Sequence, residues 1–315
     1  MVIDLRNNGG GSLTEAIELT GLFIDTGPVV QVREAAGRVS VEEDRDAGVA
    51  WSGPLAVLVN RASASASEIF AAAIQDYGRG LIIGEPTFGK GTVQNLVDLD
   101  RWPPSEKPRF GQVKLTVAQF FRIDGGTTQL KGVQPDIAFP VSLDASEYGE
   151  STYENALPWT RTRPAAHSLL GNFSPLLSQL ATRHEQRASK DLEFAWWTSD
   201  VAEYRKQRER KEISLNLAER RAERDQLEAK RKQREAERQA AGLDTPSQAR
   251  ADDGLQADER DIAAQVAEEK AREERPDALV KESAAILADA IDLLSTDSAL
   301  AAAVHPTVAA GLWAD

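Results

Sequence analysis

Short apolar runs separated by glycine, proline and asparagine fill the first 145 residues of the chain. This pattern predicts a mixed α and β region. Strands are predicted at Val2–Leu5, Val29–Val32, Leu55–Val59, Leu81–Ile83 and Val93–Leu96. Helices are predicted at Thr14–Ile24 and Ser67–Tyr77. The β-forming run Gln112–Ile123 ends in Asp124-Gly125-Gly126, which indicates a hairpin.

Beyond about residue 150 the strand signals fade and helical spacing takes over. Leucines in Ser168–His184 predict short amphipathic helices, and the aromatic group Phe194, Trp196 and Trp197 predicts core packing. Charge pairs four residues apart predict a solvated helix over 205–238. A polar linker is predicted near 243–260, and apolar positions from Val280 to Leu294 predict a final helix. We therefore expect two domains, 1–145 and 146–315.

Composition narrows the chemistry that the chain can support. There are 37 Lys and Arg against 50 Asp and Glu, a net charge of −13, which argues against nucleic-acid binding. The absence of cysteine excludes disulfides, thiolate zinc sites and a cysteine nucleophile. His167, His184 and His305 all follow the α/β region, so neither a Ser-His-Asp triad nor a histidine metal site can be built within it. No apolar run approaches the roughly 20 residues that cross a bilayer.

A serine-rich segment, residues 60–68, lies between a predicted strand and a predicted helix. Its small residues allow a hydroxyl and backbone N–H groups to approach a substrate, and the helix N-terminus adds positive partial charge. The alternative is a structural one, in which Ser65 or Ser67 caps the helix and Glu68 lies in its first turn. The segment by itself leaves both open.

Lys90 lies between two glycines in residues 85–94. It is a candidate base, which requires that desolvation lower its pKa from about 10.4. A surface lysine in a turn is the alternative. A phosphate-binding loop is a third, but Gly91 occupies the position that needs Ser or Thr, and Pro86 interrupts the loop.

The third segment is Asp4–Ser12, whose consecutive glycines precede a predicted helix. Glycine amides can be aimed at a developing oxyanion because no side chains obstruct them. A plain connection between strand and helix is the alternative.

Taken together and in this order, these segments and Gly132-Val133-Gln134-Pro135-Asp136 resemble the carboxyl-terminal processing, or tail-specific, serine proteases. The likeness covers residues 2–140 almost continuously, and the later chain resembles the helical region of the long bacterial periplasmic members. It implies an α+β fold: a mixed α/β protease core of the crotonase and Clp-protease type, followed by a mainly helical C-terminal region.

The resemblance also implies roles for individual residues. Ser65 would be the nucleophile, Lys90 its general base and Gln94 the residue that orients the lysine. The N–H groups of Gly11 and Ala66 would form the oxyanion hole. Positions that would support the site are Gly10, Glu68, Asp76 and Thr87. No metal and no cofactor are implied.

The implied activity is a serine endopeptidase that cleaves or degrades proteins from their C-terminal region. Its partners would be protein or peptide substrates with accessible C-termini, with an adaptor protein as a further candidate, and its location the periplasm or cell envelope. We expect the chain to be the C-terminal part of a longer protease, without its PDZ domain, N-terminal portions and signal peptide. The alternative is a catalytically incompetent fragment that acts at most as a helical interaction module.

Overall fold

The computed structural model describes residues 1–101, 110–141, 143–243 and 277–304. These residues form two compact units, one of Met1–Arg205 with Ala278–Asp315 and one of Lys206–Asp277. His305 and positions 244–260, which hold most of the predicted linker, lie outside the described residues. The predicted division into 1–145 and 146–315 stays a prediction.

The first unit is built on a parallel sheet. Its strands, in spatial order, are β1 (Val2–Asp4), β4 (Ala56–Val59), β5 (Leu81–Gly84) and β8 (Ile137–Ala138). β4 and β5 are uniformly apolar because helices cover both faces of the sheet. Val57 and Val59 pack on one side with Phe70, and Ala56 and Leu58 on the other with Ile286. The carboxyl ends of β1, β4 and β5 therefore meet at one edge.

A second, antiparallel sheet has the order β3 (Val39–Asp44), β2 (Gly27–Glu34), β7 (Gln112–Phe121), β6 (Thr92–Asp98). The predicted hairpin after β7 is wrong. The turn forms, since the Arg122 N–H donates to the Gly126 carbonyl at 2.7 Å. The chain does not return along β7, however, because β2 and β6 already occupy both of its edges.

Helices account for most of the remaining structure. Their bounds are α1 (Leu13–Gly21), α2 (Ala66–Asp76), α3 (Ser174–Ala188), α4 (Leu192–Glu209), α5 (Leu217–Ala240), α6 (Ala278–Thr296) and α7 (Ser298–Val304). The single helix predicted over 205–238 is interrupted, because α4 ends at Glu209 and Asn216 caps α5 by accepting from the Ala218 N–H at 2.9 Å. No helix among the described residues has the length and apolar character needed to cross a bilayer. The expected mixed α/β core followed by helices is confirmed.

A buried ion cluster fastens α3 to α6. Glu282 is 4% exposed and accepts hydrogen bonds from His184 Nδ1 at 2.8 Å and Arg187 Nη2 at 2.8 Å. Arg187 also pairs with Asp289 at 2.7 Å. Burial acts to raise the pKa of Glu282, but the hydrogen bonds from His184 and Arg187 outweigh it and lower that pKa. The cluster thus positions α6 against the parallel sheet.

Glu282→Ala will destabilise the chain by about 3 kcal/mol, because it leaves the buried His184 and the half-buried Arg187 without their acceptor. Asp292→Ala is the matched control on the same helix. Its ion pair with Arg183 is exposed, so we expect a loss below about 1 kcal/mol. Urea unfolding followed by far-UV circular dichroism measures both, and equal losses would contradict a special role for the buried cluster.

Candidate active site

Three loops that follow β1, β4 and β5 meet at the carboxyl edge of the parallel sheet, where ligands bind in folds of this kind. The loop after β1 is tied to the loop after β4 by two hydrogen bonds. The Ala64 N–H donates to the Asn8 carbonyl at 3.0 Å, and the Ser67 hydroxyl donates to the same oxygen at 3.1 Å. The loop after β5 joins them because the Phe88 N–H donates to the Ser63 carbonyl at 3.0 Å, so the three sequence segments singled out for chemistry are neighbours in space.

Ser65 occupies the N-cap of α2 in a strained conformation, with φ 56° and ψ −114°. Such a backbone costs a non-glycine residue of order 1–3 kcal/mol and persists only where surrounding contacts enforce it. Ser65 and Glu68 form a capping box at the start of the helix, and the Glu68 N–H also donates to the Ser65 carbonyl at 2.9 Å. The structural alternative, in which Ser65 serves only as a cap, does not account for the strain.

Gly10 lies directly against Ser65 with φ +95°. A Cβ atom at Gly10 would stand 2.9 Å from Ser65 Cβ and 2.8 Å from Ala66 N, so only glycine fits. The N–H groups of Gly11 and Ala66 donate no hydrogen bond within the described residues. Both amides proposed for the oxyanion hole are thus available beside the serine, as such a hole requires.

Glu68 connects the serine loop to the lysine loop. Its side chain is 0% exposed and accepts four hydrogen bonds. On Oε2 it accepts from the Ser65 N–H at 2.8 Å and the Lys90 N–H at 2.9 Å. On Oε1 it accepts from the Thr87 hydroxyl at 2.6 Å and the Gly89 N–H at 2.7 Å. One oxygen atom therefore holds the backbone of both residues of the expected dyad.

Burial dominates the electrostatics of Glu68. Complete desolvation raises the pKa of Glu68 to about 7, although hydrogen bonds from Thr87, Gly89, Ser65 and Lys90 each act to lower it. A carboxyl group with a pKa near 7 changes its charge within the physiological range. We therefore expect the connection between the two loops to respond to pH.

Lys90 lines a cavity of about 560 Å³ together with Gly9 and Ala64, the neighbours of Gly10 and Ser65. Burial is the main cause that lowers the pKa of Lys90, and the charge of Lys114 lowers it further. The carboxylates of Glu150 and Glu68 oppose that shift. The environment thus moves the amine toward the neutral form that a general base requires.

The Ser65 hydroxyl and the Lys90 amine form no hydrogen bond with each other among the described residues. Gln94 lines the same cavity as Lys90, and its amide donates to Thr116 Oγ1 at 3.4 Å rather than to the lysine. Catalytic hydrogen bonds are often long before substrate is bound, so this geometry does not exclude either residue.

Thr87 and Asp76 have different positions relative to the site. Thr87 is buried, and its hydroxyl both donates to Glu68 and accepts from the Val133 N–H at 2.7 Å. Asp76 is at the opposite end of α2 from Ser65, about 16 Å along the helix axis at about 1.5 Å per residue. There it pairs with Arg122. The structure therefore brings Thr87 to the site and leaves Asp76 away from it.

Two residues near the lysine loop, Gln129 and Glu150, belong to no motif that the sequence analysis singled out. Gln129 is buried, and its side-chain oxygen accepts from the Gly91 N–H at 2.8 Å. Its amide group in turn donates to Glu150 Oε1 at 3.1 Å. Gln129 follows a turn rather than a buried strand, so only the folded chain reveals that it holds the lysine loop.

The phosphate-loop alternative is wrong. A phosphate loop of that type leads into a helix, whose N-terminal N–H groups face the phosphate. Here Thr92 begins strand β6, so no helix N-terminus follows Lys90.

Comparisons with known proteins cover nearly the whole chain. Residues 1–139 match peptidase family S41, and residues 143–292 match the C-terminal domain of tail specific protease. A tail-specific protease of Haemophilus influenzae is 48% identical over 240 residues, which are 73% of this chain and 34% of that protein. The chloroplastic carboxyl-terminal-processing peptidase 2 of Arabidopsis thaliana is 38% identical over 46% of this chain and 27% of its own length.

Among solved structures, the photosystem II D1 C-terminal processing protease is similar, with 37% identity and a TM-score of 0.37. The match covers 44% of this chain and 34% of that one. The chain spans about a third of the length of the curated relatives it matches. Because the two family matches together cover residues 1–139 and 143–292, and a tail-specific protease is 48% identical over 73% of this chain, the chain belongs to the tail-specific proteases of peptidase family S41.

Proposed function

We propose that the chain carries the active site of a serine endopeptidase of the carboxyl-terminal processing type, with Ser65 as nucleophile and Lys90 as general base. The observation that carries this proposal is the single Glu68 oxygen that accepts from both the Ser65 and the Lys90 N–H groups. Strain at Ser65 and the two available amides beside it support the same role.

In the proposed reaction, neutral Lys90 takes the proton of the Ser65 hydroxyl while Oγ bonds to the scissile carbonyl carbon. The carbonyl oxygen becomes an oxyanion, which the N–H groups of Gly11 and Ala66 stabilise. The C–N bond then breaks, and Lys90 returns the proton to the leaving amine. Water attacks the ester in the same way and releases Ser65. Gln94, which lines the same cavity, orients the lysine once substrate excludes solvent.

For the full-length protein we propose substrates with accessible C-termini, delivered directly or by an adaptor protein, in the periplasm or cell envelope. The competing proposal is that this chain is a helical interaction module without activity. The reactivity of Ser65 distinguishes the two proposals, because the second requires that this serine be unreactive.

A fluorophosphonate probe will modify the wild-type 315-residue chain at Ser65, and Ser65→Ala will abolish the adduct. Lys90→Ala will lower the rate constant by about 10²–10⁴, the usual contribution of a general base. Lys90→Arg keeps the charge but cannot lose a proton, so we expect the same loss. Intact mass and peptide mapping measure these outcomes. An adduct on Ser63 or Ser67, or wild-type rates in Lys90→Arg, would refute the dyad.

The labelling rate of the wild-type chain will rise with pH as Lys90 loses its proton. Lys114→Gln will move the profile to higher pH, because removing a neighbouring positive charge takes away one cause that lowers the pKa of Lys90. Arg45→Gln removes an exposed charge on another strand end and is the matched control. Identical profiles for the Lys114 and Arg45 variants would show that Lys114 does not act on the base.

Glu68→Gln will disrupt the site, because a glutamine offers one acceptor oxygen and places an NH₂ group against backbone donors. Between about pH 5 and 7 the folded chain keeps a proton on Glu68 that the unfolded chain has released, so the free energy of unfolding falls as pH rises. In urea unfolding, the difference in the free energy of unfolding between the wild type and Glu68→Gln will therefore become smaller from about pH 5 to 7. Parallel curves for the two chains would contradict the raised pKa.

A further inference from the structure

A turn formed by residues 127–132 packs against the lysine loop on both sides of its lysine. The Leu130 N–H donates to the Gly89 carbonyl at 2.8 Å, and the Gly91 N–H donates to Gln129 Oε1 at 2.8 Å. A Cβ atom at Gly91 would stand 2.8 Å from Gln129 N, and one at Gly89 would stand 2.9 Å from the carbonyl carbon of Leu130. The backbone before and after the lysine is therefore held by this turn.

The side chain of Gln129 links that turn to a later segment of the chain. Gln129 is completely buried, and its amide group donates to Glu150 Oε1 at 3.1 Å. The Glu150 N–H donates to the Phe88 carbonyl at 3.1 Å, and a Cβ atom at Gly149 would stand 3.1 Å from the same oxygen. Glu150 therefore contacts the lysine loop directly through its N–H and indirectly through its carboxylate and Gln129.

Glu150 lies outside the region that matches the peptidase family. That region ends at residue 139, whereas Glu150 begins the short 3₁₀ helix Glu150–Thr152 within residues 143–292. The latter match the C-terminal domain of tail specific protease. The lysine loop of the peptidase region is therefore held in part by a residue of the second matched region.

Glu150 also shares a cavity with Lys90, since both residues line the space of about 560 Å³ beside the serine loop. Among the described residues, the charges that act on Lys90 come from Lys114 on β7, from Glu68 on α2 and from Glu150. Burial lowers the pKa of Lys90 most, and Lys114 lowers it further. The two carboxylates raise that pKa, and Glu150 has the larger effect of the two. Glu150 thus contributes both a hydrogen bond and a charge to the surroundings of the proposed base.

We propose that Glu150 is a positioning residue of the active site, whose carboxylate holds the lysine loop through Gln129 and places a negative charge in the cavity of the Lys90 amine. The inference rests on the proposed function, in which Lys90 is the base. Without the carboxylate, the buried amide of Gln129 loses its acceptor, which weakens the contact that holds the Gly91 N–H. The charge acts as a restraint, because it favours the protonated form of Lys90.

Glu150→Gln tests the charge alone, because glutamine keeps an acceptor oxygen for the Gln129 amide. Lys90 will lose its proton at lower pH, so fluorophosphonate labelling of the serine will be about threefold faster below the midpoint of the pH profile and unchanged at high pH. This shift is opposite in direction to that of Lys114→Gln, and a general loosening of the fold does not produce both. Glu154→Gln removes an exposed charge outside the cavity lining and is the matched control. A wild-type profile in Glu150→Gln, or the same shift in Glu154→Gln, would overturn the inference.

Gln129→Leu tests the hydrogen bonds, because it keeps the charge of Glu150 and removes both bonds made through Gln129. We expect the labelling rate at high pH to fall about tenfold or more, since misplacing a catalytic group by about 1 Å can cost roughly a hundredfold. Glu150→Ala removes the same contact at a partly exposed position and will show the same loss, which covers the case that Gln129→Leu does not fold. Gln112→Leu, at an exposed glutamine on β7, is the matched control. Wild-type rates at high pH in the folded variants would contradict the positioning role.

A measurement that does not use Ser65 distinguishes failure of this inference from failure of the proposed function. The ε-methylene ¹³C NMR signal of Lys90, identified by its absence in Lys90→Arg, reports the ionisation of the amine directly. If the fluorophosphonate leaves wild-type Ser65 unmodified, the proposed function fails. A Lys90 titration midpoint that is lower in Glu150→Gln than in the wild type and Glu154→Gln still supports the role of Glu150. Equal midpoints in the three chains would overturn that role, whatever the reactivity of Ser65.

Discussion

The Glu68 carboxylate is the interaction on which the arrangement of the site depends. A buried carboxylate is costly unless its oxygen atoms are hydrogen-bonded, and here four donors converge on it. Two of those donors are the N–H groups of Ser65 and Lys90, which are far apart in the chain. The requirement to satisfy one buried acid therefore fixes the distance between two loops, and burial raises the pKa of that acid to about 7.

The strained backbone of Ser65 depends on the loop after β1, which packs against it through Gly10. The positive φ of Ser65 is held by the start of α2 on one side and by the close approach of Gly10 on the other. Small residues on both loops permit this approach, and the buried parallel strands supply the rigid support beneath it. The two amides of the proposed oxyanion hole are left available by the same geometry, because the sharp turn at Ser65 directs the chain into the helix.

Much of the fold was predictable because strong periodic signals coincide with buried elements. The apolar runs at β4 and β5 and the helix after Ser65 are at their predicted places within one or two residues. Strand β3 was missed since its residues are mostly polar or exposed on an edge strand. The hairpin after β7 was wrongly predicted because a local turn signal says nothing about which strand edges are already paired.

The sequence by itself excluded a cysteine nucleophile and, within the α/β region, a histidine base, and its resemblance to the tail-specific proteases is what pointed to Ser65 and Lys90. It also determined the three segments, since each follows an apolar strand. Only the tertiary structure decided that Glu68 holds both loops, that Asp76 is away from the site, and that Gln129 and Glu150 belong beside Lys90. Those contacts join residues distant in the chain, and the packing of whole elements, rather than local periodicity, sets them.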